Sequence, residues 1–379
     1  MHRILWVAAL CLMAVTAAPA QAQSQLETKA KQAIIVDVNT GVVLYEKDAH
    51  VRMPTSSMSK VMTTYMLFEE LKKGAIKLDD TILVSEKAWN MGGSEMFIEV
   101  GERVRVEDLI RGIVIQSGND ATVAVAEGLA GTEEAFAEAM TVRAKELGMK
   151  ESNFKNASGW PDPDHYSTAH DLAILAYRTI QDFPEYYHYF AEREFTYNKI
   201  RQPNRDPLLG AVAGADGLKT GHTEAAGYGL MGSAIRDGHR VVMVINGLES
   251  IAERKEEGIR LLEWAFRNFE RKKLVKQGEA VDRAAVWLGK TPDVELVAAK
   301  DLDIVMPRTR RNDVRMSVSY QAPLAAPVKK GTVVGKLKVE IPDQAPMEVD
   351  LMAANDVPRL GAFGRAKARA KYLLSGVTE

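Results

Sequence analysis

The chain has 379 residues, of which 46% are hydrophobic and 26% charged, and its formal net charge is −2. This composition is typical of a soluble globular protein, and the near-neutral balance argues against a general nucleic-acid binder. The single cysteine, Cys11, lies in an N-terminal apolar run, so disulfides and a cysteine nucleophile are excluded for the rest of the chain.

The first residues have the pattern of a secretory signal peptide. A positively charged start is followed by an apolar run over 4–15 and by Ala20-Gln21-Ala22, a small-x-small cleavage site. We therefore predict a signal peptide over 1–22 and an exported mature chain. A retained membrane helix is the alternative, although the run is short for a span. A lipoprotein is disfavoured because a large leucine precedes Cys11.

Two β-hairpins enclose a region of helical periodicity. The second hairpin turns at Asp237-Gly238, which is a strong hairpin signal. With a short run near residue 220, about five strands pair antiparallel. We predict an α+β fold in which helices flank this five-stranded sheet and a helical subdomain is inserted between its strands. The predicted strands are 33–38, 42–46, 219–223, 228–235 and 240–245, and the predicted helices are 59–72, 106–115, 120–129, 133–147 and 252–269.

The character of the chain changes beyond about residue 273. Short β-prone runs separated by Gly, Pro, Asp and Asn predict a small β-sandwich domain. These runs are 284–288, 294–297, 302–306, 314–320 and 333–341. The predicted organisation is a signal peptide at 1–22, the main domain at 23–272, the β-domain at 273–357 and a tail at 358–379.

The tail combines basic residues with an apolar arc on a helical wheel. This pattern predicts an amphipathic helix that lies on an anionic membrane surface. A terminal helix that is solvated or packed on a domain is the alternative. The basic residues are Arg359, Arg365, Lys367, Arg369 and Lys371.

Three short motifs follow one another in the order required for serine acyl transfer with a lysine base: Ser57-Met58-Ser59-Lys60, Ser117-Gly118-Asn119 and Lys219-Thr220-Gly221. Each motif is weak alone, and the ordered trio is the signal. At the start of a helix, the i and i+3 positions bring the Lys60 amine beside the Ser57 hydroxyl. Because the amine can accept the serine proton only when neutral, its pKa must be lowered by burial or by a second cation, for which Lys219 is the candidate.

The other two motifs supply substrate contacts. Ser117 would pass the proton to the leaving amine and Asn119 would hydrogen-bond the substrate backbone, whereas helix capping is their structural alternative. Lys219 and Thr220 lie on a predicted strand edge, where they would meet a substrate carboxylate. Gly221 permits the close approach of an extended peptide. The oxyanion donors would be the backbone N–H groups of Ser57 and His222.

These motifs resemble those of the D-alanyl-D-alanine carboxypeptidases, the low-molecular-mass penicillin-binding proteins, whose fold is shared with β-lactamases and transpeptidases. The resemblance covers nearly the whole mature chain and includes 156–159 and 166–172. It suggests Arg254 as a further contact for the substrate carboxylate and, more weakly, Arg205. The chain departs from the family pattern at Trp160 and at 210–213, and both departures concern substrate fit.

The resemblance implies a serine peptidase that removes the terminal D-alanine of peptidoglycan pentapeptide stems through a Ser57 acyl-enzyme. It implies no cofactor and no metal ion. β-Lactams would acylate the same serine, and the protein would act in the periplasm, bound at the inner membrane through its C-terminal helix.

Other functions remain open at this point. DD-endopeptidase or transpeptidase activity on cross-links would use the same residues, and a non-catalytic wall-binding protein would not need all of them. A class A β-lactamase is disfavoured because no Glu-x-x-Leu-Asn occurs between the second and third motifs. A metal-dependent peptidase is disfavoured because no His-Glu-x-x-His is present. The candidate metal ligands for such a peptidase are Asp162, Asp164, His165, His170 and Asp171.

Overall fold

The structure is a computed structural model that describes residues 26–342 and 344–375. The predicted signal peptide at 1–22 lies outside the described residues. Up to residue 268 the elements are, in chain order, β1 (Gln32–Asp37), β2 (Val43–Lys47), α1 (Lys60–Lys73), β3 (Thr81–Leu83), α2 (Glu86–Trp89), β4 (Arg103–Arg105), α3 (Val106–Arg111), α4 (Asn119–Ala130), α5 (Glu133–Leu147), α6 (Ala169–Asp182), β5 (Glu194–Tyr197), β6 (Ile200–Pro203), β7 (Ala215–Thr223), β8 (Gly227–Arg236), β9 (His239–Leu248) and α7 (Ile251–Asn268).

A five-stranded antiparallel sheet in the order β2-β1-β9-β8-β7 forms the centre of this part. Both predicted hairpins are present. Asp237 and Gly238 have φ angles of 50° and 76°, as a tight hairpin turn requires. Because β7 is hydrogen-bonded on one side only, it leaves a free backbone edge for other groups to approach.

Helices cover both faces of this sheet. Along β9, Val242 and Val244 belong to the core that contains α1 and α6, whereas Val241, Met243 and Ile245 pack with α7. Burial on both faces explains why β9 is a continuous apolar run rather than an alternating one. The predicted α+β architecture is therefore confirmed.

The inserted helical region contains α2 to α5. Its central helix, α4, is buried over most of its length because it is built from small and β-branched side chains. The predicted helix at 106–115 is α3 followed by one wider π turn, Gly112–Gln116, which ends directly before Ser117. The sequence patterns did not predict two small two-stranded sheets, β3 with β4 and β5 with β6, whose strands have only three or four residues.

The second part of the described chain is almost entirely β-structure. Its elements are β10 (Phe269–Val275), β11 (Ala280–Trp287), β12 (Asp293–Ala298), β13 (Leu302–Pro307), β14 (Arg315–Tyr320), β15 (Leu324–Ala325), β16 (Val333–Glu340), β17 (Met347–Ala353) and α8 (Ala362–Ser375). Six strands form a sheet in the order β14-β16-β17-β12-β11-β15, and β10 pairs with β13. These strands enclose an apolar core of their own. We refer to β10–β17 as the C-terminal β-domain.

Two of its longer strands were not predicted from the sequence. β10 carries four consecutive charged residues, 270–273, so it lacks the apolar character expected of a strand. It is nevertheless held by antiparallel pairing with β13. β17 alternates buried and exposed positions regularly, but the β-prone runs recognised in the sequence ended at residue 341.

The predicted terminal helix is α8. Phe363 and Leu373 on it are exposed. Within residues 26–342 and 344–375, no helix is both long enough and apolar enough to cross a membrane.

Candidate active site

Ser57 lies in a tight 3₁₀ turn, Ser56–Ser59, that leads directly into α1. The preceding segment is tied down by a hydrogen bond from the Met53 N–H to the Ser167 carbonyl, at 2.8 Å. On the other side, the backbone at Gly159 packs against the turn so closely that a Cβ there would lie 1.8 Å from the Ser56 carbonyl oxygen. Only glycine fits this position, and its φ of +80° also favours glycine. The turn that carries Ser57 is therefore fixed from two sides.

Lys60 is buried beside Ser57, as the i and i+3 spacing predicted. Its Nζ lies 2.9 Å from Ser57 Oγ, 2.7 Å from Asn119 Oδ1 and 2.6 Å from the Ser158 carbonyl oxygen. Burial lowers the pKa of the amine to about 7. A neutral amine has two N–H groups and one lone pair, and two of its three neighbours can only accept hydrogen bonds. The lone pair therefore faces the Ser57 hydroxyl, which is the arrangement that a general base needs.

Arg205 is a second cation near Lys60, besides the expected Lys219. Arg205 lowers the pKa of Lys60 further, after desolvation, whereas the sequence suggested Lys219 for this effect. Lys219 and Lys60 also interact electrostatically, and desolvation together with Lys60, Arg205 and Arg254 holds the pKa of Lys219 well below the usual range. Arg205 keeps its charge and fixes its position by donating to Ser94 Oγ at 2.6 Å.

Ser117 and Asn119 stand at the start of α4. Ser117 is buried and has a φ of 68°, the left-handed conformation that separates the π turn from α4. Besides its contact with Lys60, Asn119 donates from Nδ2 to the Gly92 carbonyl at 2.8 Å. The next residue, Asp120, accepts hydrogen bonds from the backbone N–H groups of Met96 and Phe97 at 3.0 Å. These contacts fix the 92–97 loop against the second motif.

The third motif lies on β7, the edge strand. Lys219 and Thr220 are buried, and a Cβ at Gly221 would lie 3.1 Å from the Thr55 carbonyl oxygen and from Ser56 Cβ. The strand therefore runs directly alongside the turn that carries Ser57. His222 is exposed, and its ring stacks on Tyr228 at a centroid distance of 4.0 Å.

A group of cations surrounds the Lys219 end of the strand. Arg254, at the start of α7, is buried, lies 5.7 Å from the Tyr228 ring centroid and has no hydrogen-bond partner for Nε within the described residues. Asp206 faces the same group. Burial raises its pKa to about 6, while Arg254 and Lys219 act to lower it. This end of the cleft therefore presents buried, incompletely paired positive groups, which suit an anionic ligand.

The polar loop that raised the metal-peptidase alternative has structural contacts. Lys155 donates its backbone N–H to His165 Nδ1 at 3.2 Å, so Nε2 carries the proton and donates to Ser59 Oγ at 2.8 Å. Burial lowers the pKa of His165 to about 4, so the ring is neutral. His170 stacks on His50 and lies 3.4 Å from an oxygen of Asp171. No group of three or more potential metal ligands occurs within the described part of the chain.

The structure thus brings together Ser57, Lys60 and Asn119, with Lys219, Arg205 and Arg254 in electrostatic reach of one another at the cationic end of the cleft. Ser117 is buried two residues before Asn119. Sequence reasoning assigned no role to three groups that shape this cleft: the Ser158 carbonyl, Gly159 and Asp206. The available signal was the Asn156-Ala157-Ser158-Gly159 turn pattern. Asn156 Oδ1 accepts the N–H of Gly159 at 2.8 Å and so holds this turn.

An antiparallel sheet flanked by helices, with a serine and a buried lysine one helical turn apart beside its edge strand, is the architecture of the penicillin-binding proteins. The chain belongs to the D-alanyl-D-alanine carboxypeptidase family, whose sequence profile matches residues 18–250. The profile of the penicillin-binding protein 5 C-terminal domain matches residues 269–359. The family resemblance and the enzyme class predicted from the sequence are confirmed.

Curated relatives match over nearly their full length. The D-alanyl-D-alanine carboxypeptidase DacA of Haemophilus influenzae is 36% identical over 338 residues, which is 88% of this chain and 86% of that protein. The D-alanyl-D-alanine carboxypeptidase DacF of Bacillus subtilis is 35% identical, over 95% of this chain and 96% of that protein.

Solved structures share the fold. Penicillin-binding protein 5 from Haemophilus influenzae superimposes with a TM-score of 0.79 at 35% identity, covering 88% of this chain and 99% of that chain. Penicillin-binding protein D2 from Listeria monocytogenes, solved in its ampicillin-bound form, matches with a TM-score of 0.59 at 30% identity, covering 64% of this chain and 99% of that chain.

Proposed function

We propose that this serine carboxypeptidase removes the terminal D-alanine of peptidoglycan pentapeptide stems through an acyl-enzyme on Ser57. The observation that carries the proposal is the Lys60 amine, which is buried, has a pKa of about 7 and lies 2.9 Å from Ser57 Oγ. Its other two neighbours, Asn119 Oδ1 and the Ser158 carbonyl, leave only Ser57 to meet its lone pair.

In the proposed acylation, Ser57 Oγ attacks the carbonyl carbon of the penultimate D-alanine while Lys60 takes the hydroxyl proton. The backbone N–H groups of Ser57 and His222 donate to the oxyanion, and one such donor is worth about 10²- to 10³-fold in rate. Ser117 passes a proton to the leaving amine, and D-alanine departs. Water then hydrolyses the ester and releases the tetrapeptide.

The cationic end of the cleft would select a free C-terminal carboxylate. Lys219, Thr220 and Arg254 are the groups that we assign to it, with Gly221 allowing the peptide to approach β7. Burial and neighbouring cations lower the pKa of Lys219 in the free protein. An arriving carboxylate reverses this effect, because an opposite charge favours the protonated amine. The buried, unpartnered Arg254 Nε supports the same assignment.

β-Lactams would acylate the same serine, since the related protein from Listeria monocytogenes was solved with ampicillin bound. DD-endopeptidase or transpeptidase action on cross-links remains the alternative, because it needs the same groups. We also retain as proposals the domain division after residues 22, 272 and 357, export to the periplasm, and contact of α8 with the inner membrane. The exposed Phe363 and Leu373 of α8 support the membrane contact.

The test is D-alanine release from a synthetic stem peptide that ends in D-Ala-D-Ala. The mature chain is compared with Ser57→Ala and, as a control, Ser317→Ala, an exposed serine of β14. We expect release by the wild type and by the control, and none by Ser57→Ala. Release by Ser57→Ala at the wild-type rate would contradict the assigned nucleophile. No release by folded wild type would contradict the carboxypeptidase function and favour cross-link cleavage or wall binding.

A further inference from the structure

We propose that Trp160 is a specificity-determining residue for the stem-peptide position that precedes the two D-alanines. Its indole forms the wall of a subsite for a long aliphatic side chain that ends in an ammonium group. The inference rests on the carboxypeptidase function proposed above, and it specifies the class of peptide that this function takes.

The direction of the bound peptide follows from the cleft. The C-terminal carboxylate belongs at the cationic end, near Lys219 and Arg254, and the scissile carbonyl lies beside Ser57. The part of the peptide that stays on the serine must therefore continue away from Lys219, along β7 past His222. This path leads to the end of the strand at Thr223.

A cavity of about 640 Å³ opens at that end of the strand. This volume is in the range of a site for a small organic ligand or a large side chain. The cavity is continuous with the turn that carries the nucleophile, because Ser56 and Gly159 both line it. Its other walls include Trp160, Asp162, Thr223 and Ala225.

Trp160 is a large apolar side chain held in an exposed position. The residue is 46% exposed, although a tryptophan usually buries more of its surface. Asn156 fixes the backbone on both sides, accepting from the Trp160 N–H at 2.9 Å and donating to its carbonyl at 3.0 Å. A Cβ placed at Gly93 would lie 3.1 Å from the indole and 2.8 Å from Asn119 Nδ2. The ring therefore stands at the mouth of the cleft, close to the second motif.

The charges around this cavity favour a cationic side chain. Asp162 uses Oδ1 to accept the N–H of Asp164 at 2.8 Å. Asp164 is exposed. One cation, Arg52, also lines the cavity, and it is paired with Glu151 at 2.6 Å.

The cleft is thus positive near Lys219 and negative near Asp162. This polarity matches a peptide that has a C-terminal carboxylate and an ammonium on the side chain two residues before it. Trp160 can add both apolar contact with the methylenes and a cation–π contact with the ammonium. Neutral His165, which also lines the cavity, does not oppose that charge.

The test measures D-alanine release from three peptides that differ only at the residue before D-Ala-D-Ala: lysine, Nε-acetyl-lysine or alanine. For the wild type we expect kcat/KM to fall in that order, with lysine preferred over alanine by about tenfold, a size typical of one desolvated aromatic and charge contact. Trp160→Ala should reduce this preference to within about twofold, mainly through KM. Trp160→Phe should keep most of the preference.

Two further variants separate the parts of the subsite. Asp162→Asn with Asp164→Asn should remove the preference for lysine over acetyl-lysine but keep that for acetyl-lysine over alanine. Trp89→Ala is the matched control, because Trp89 is 45% exposed and does not line the cavity. It should leave all three rates unchanged.

Equal wild-type rates on the three peptides would overturn the subsite while leaving the carboxypeptidase function in place. A Trp160→Ala protein that slows all three peptides by one factor would also overturn it, since the residue would then act on the shared D-Ala-D-Ala part. Absence of D-alanine release from every peptide by folded wild type would overturn the function on which the inference rests.

Discussion

The cleft and the C-terminal β-domain place their polar groups in opposite ways. Lys60, Lys219 and Asp206 are all buried around the cleft. Among the described residues after Glu257, by contrast, no polar or charged residue is buried. Charged pairs of the β-domain lie outside its apolar core, both exposed ones such as Lys336 with Glu348 at 2.7 Å and the partly buried Arg271 with Asp303 at 2.8 Å.

This difference indicates that burial of polar groups reduces stability around the cleft and not in the core of the β-domain. Burying an amine disfavours its charged form and leaves polar atoms that need partners. In the cleft that penalty lowers the pKa of Lys60 to about 7, which the proposed role as general base requires. The surface pairs of the β-domain contribute little to stability, so its fold depends on apolar burial.

The largest expected effect comes from Lys60→Met, which keeps the length of the side chain but removes the amine. We expect the rate of β-lactam acylation to fall by about 10³-fold, because a general base typically contributes 10²- to 10⁴-fold. The free energy of unfolding should change by less than about 3 kcal/mol, since the apolar side chain is buried more easily than an amine but leaves Asn119 Oδ1 and the Ser158 carbonyl without their donor. Stopped-flow acylation and urea unfolding measure both quantities. A marked loss of stability would contradict the contrast drawn between the two regions.

Gly159→Ala should have the next largest effect. The added Cβ would lie 1.8 Å from the Ser56 carbonyl oxygen, so the turn that carries Ser57 must shift. A displacement of about 1 Å at a reacting group costs about 10²-fold in rate. The matched control is Gly131→Ala, which has the same φ of +80° and nothing within 4 Å of its Cβ. If both variants acylate at the same rate, the loss of rate comes from placing alanine at a φ of +80°. Contact between the added Cβ and the turn that carries Ser57 would then not be its cause.

The pH dependence of acylation should be smaller but diagnostic. Burial lowers the pKa of Lys60 to about 7, so the reactive neutral amine is lost as the pH falls below that value. The acylation rate should therefore drop about tenfold per pH unit on the acid side. Arg205→Ala should move the midpoint to higher pH by less than one unit, because the Arg205 charge lowers the pKa of Lys60.

Arg201→Ala is the control for this shift, because Arg201 is an exposed arginine paired with Glu194. It should leave the midpoint in place. A midpoint that does not move in Arg205→Ala would show that the Arg205 charge does not contribute to the lowered pKa of Lys60.

The smallest effect on catalysis is expected from Leu337→Ala in the core of the β-domain. Leu337 is buried, and truncation of a buried leucine costs about 2–5 kcal/mol of unfolding free energy. The acylation rate at 25 °C should stay within twofold of wild type, because this core contains none of the cleft residues. Calorimetry and stopped-flow acylation measure the two effects. A large loss of rate would show that the two regions are coupled.

Local patterns predicted much of this fold. The contact between Ser57 and Lys60 follows from helical spacing, and the β8–β9 hairpin follows from Asp237-Gly238. The features that these patterns did not predict are contacts between residues that lie far apart in the sequence. The Ser158 carbonyl approaches Lys60 across 98 sequence positions, and Arg205 acts on Lys60 without any motif that joins them. β10 was missed for the same reason, since its pairing with β13 outweighs its charged sequence.

The most direct test of the account is the protonation state of Lys60 in the free protein. With ¹³C-labelled lysine, the Lys60 side-chain resonance is identified by its absence from Lys60→Arg and followed by NMR from pH 5 to pH 11. The account predicts a titration midpoint at about 7. A midpoint near the ordinary lysine value of about 10.4 would contradict it, because Lys60 would then be a cation at neutral pH and unable to take the Ser57 proton.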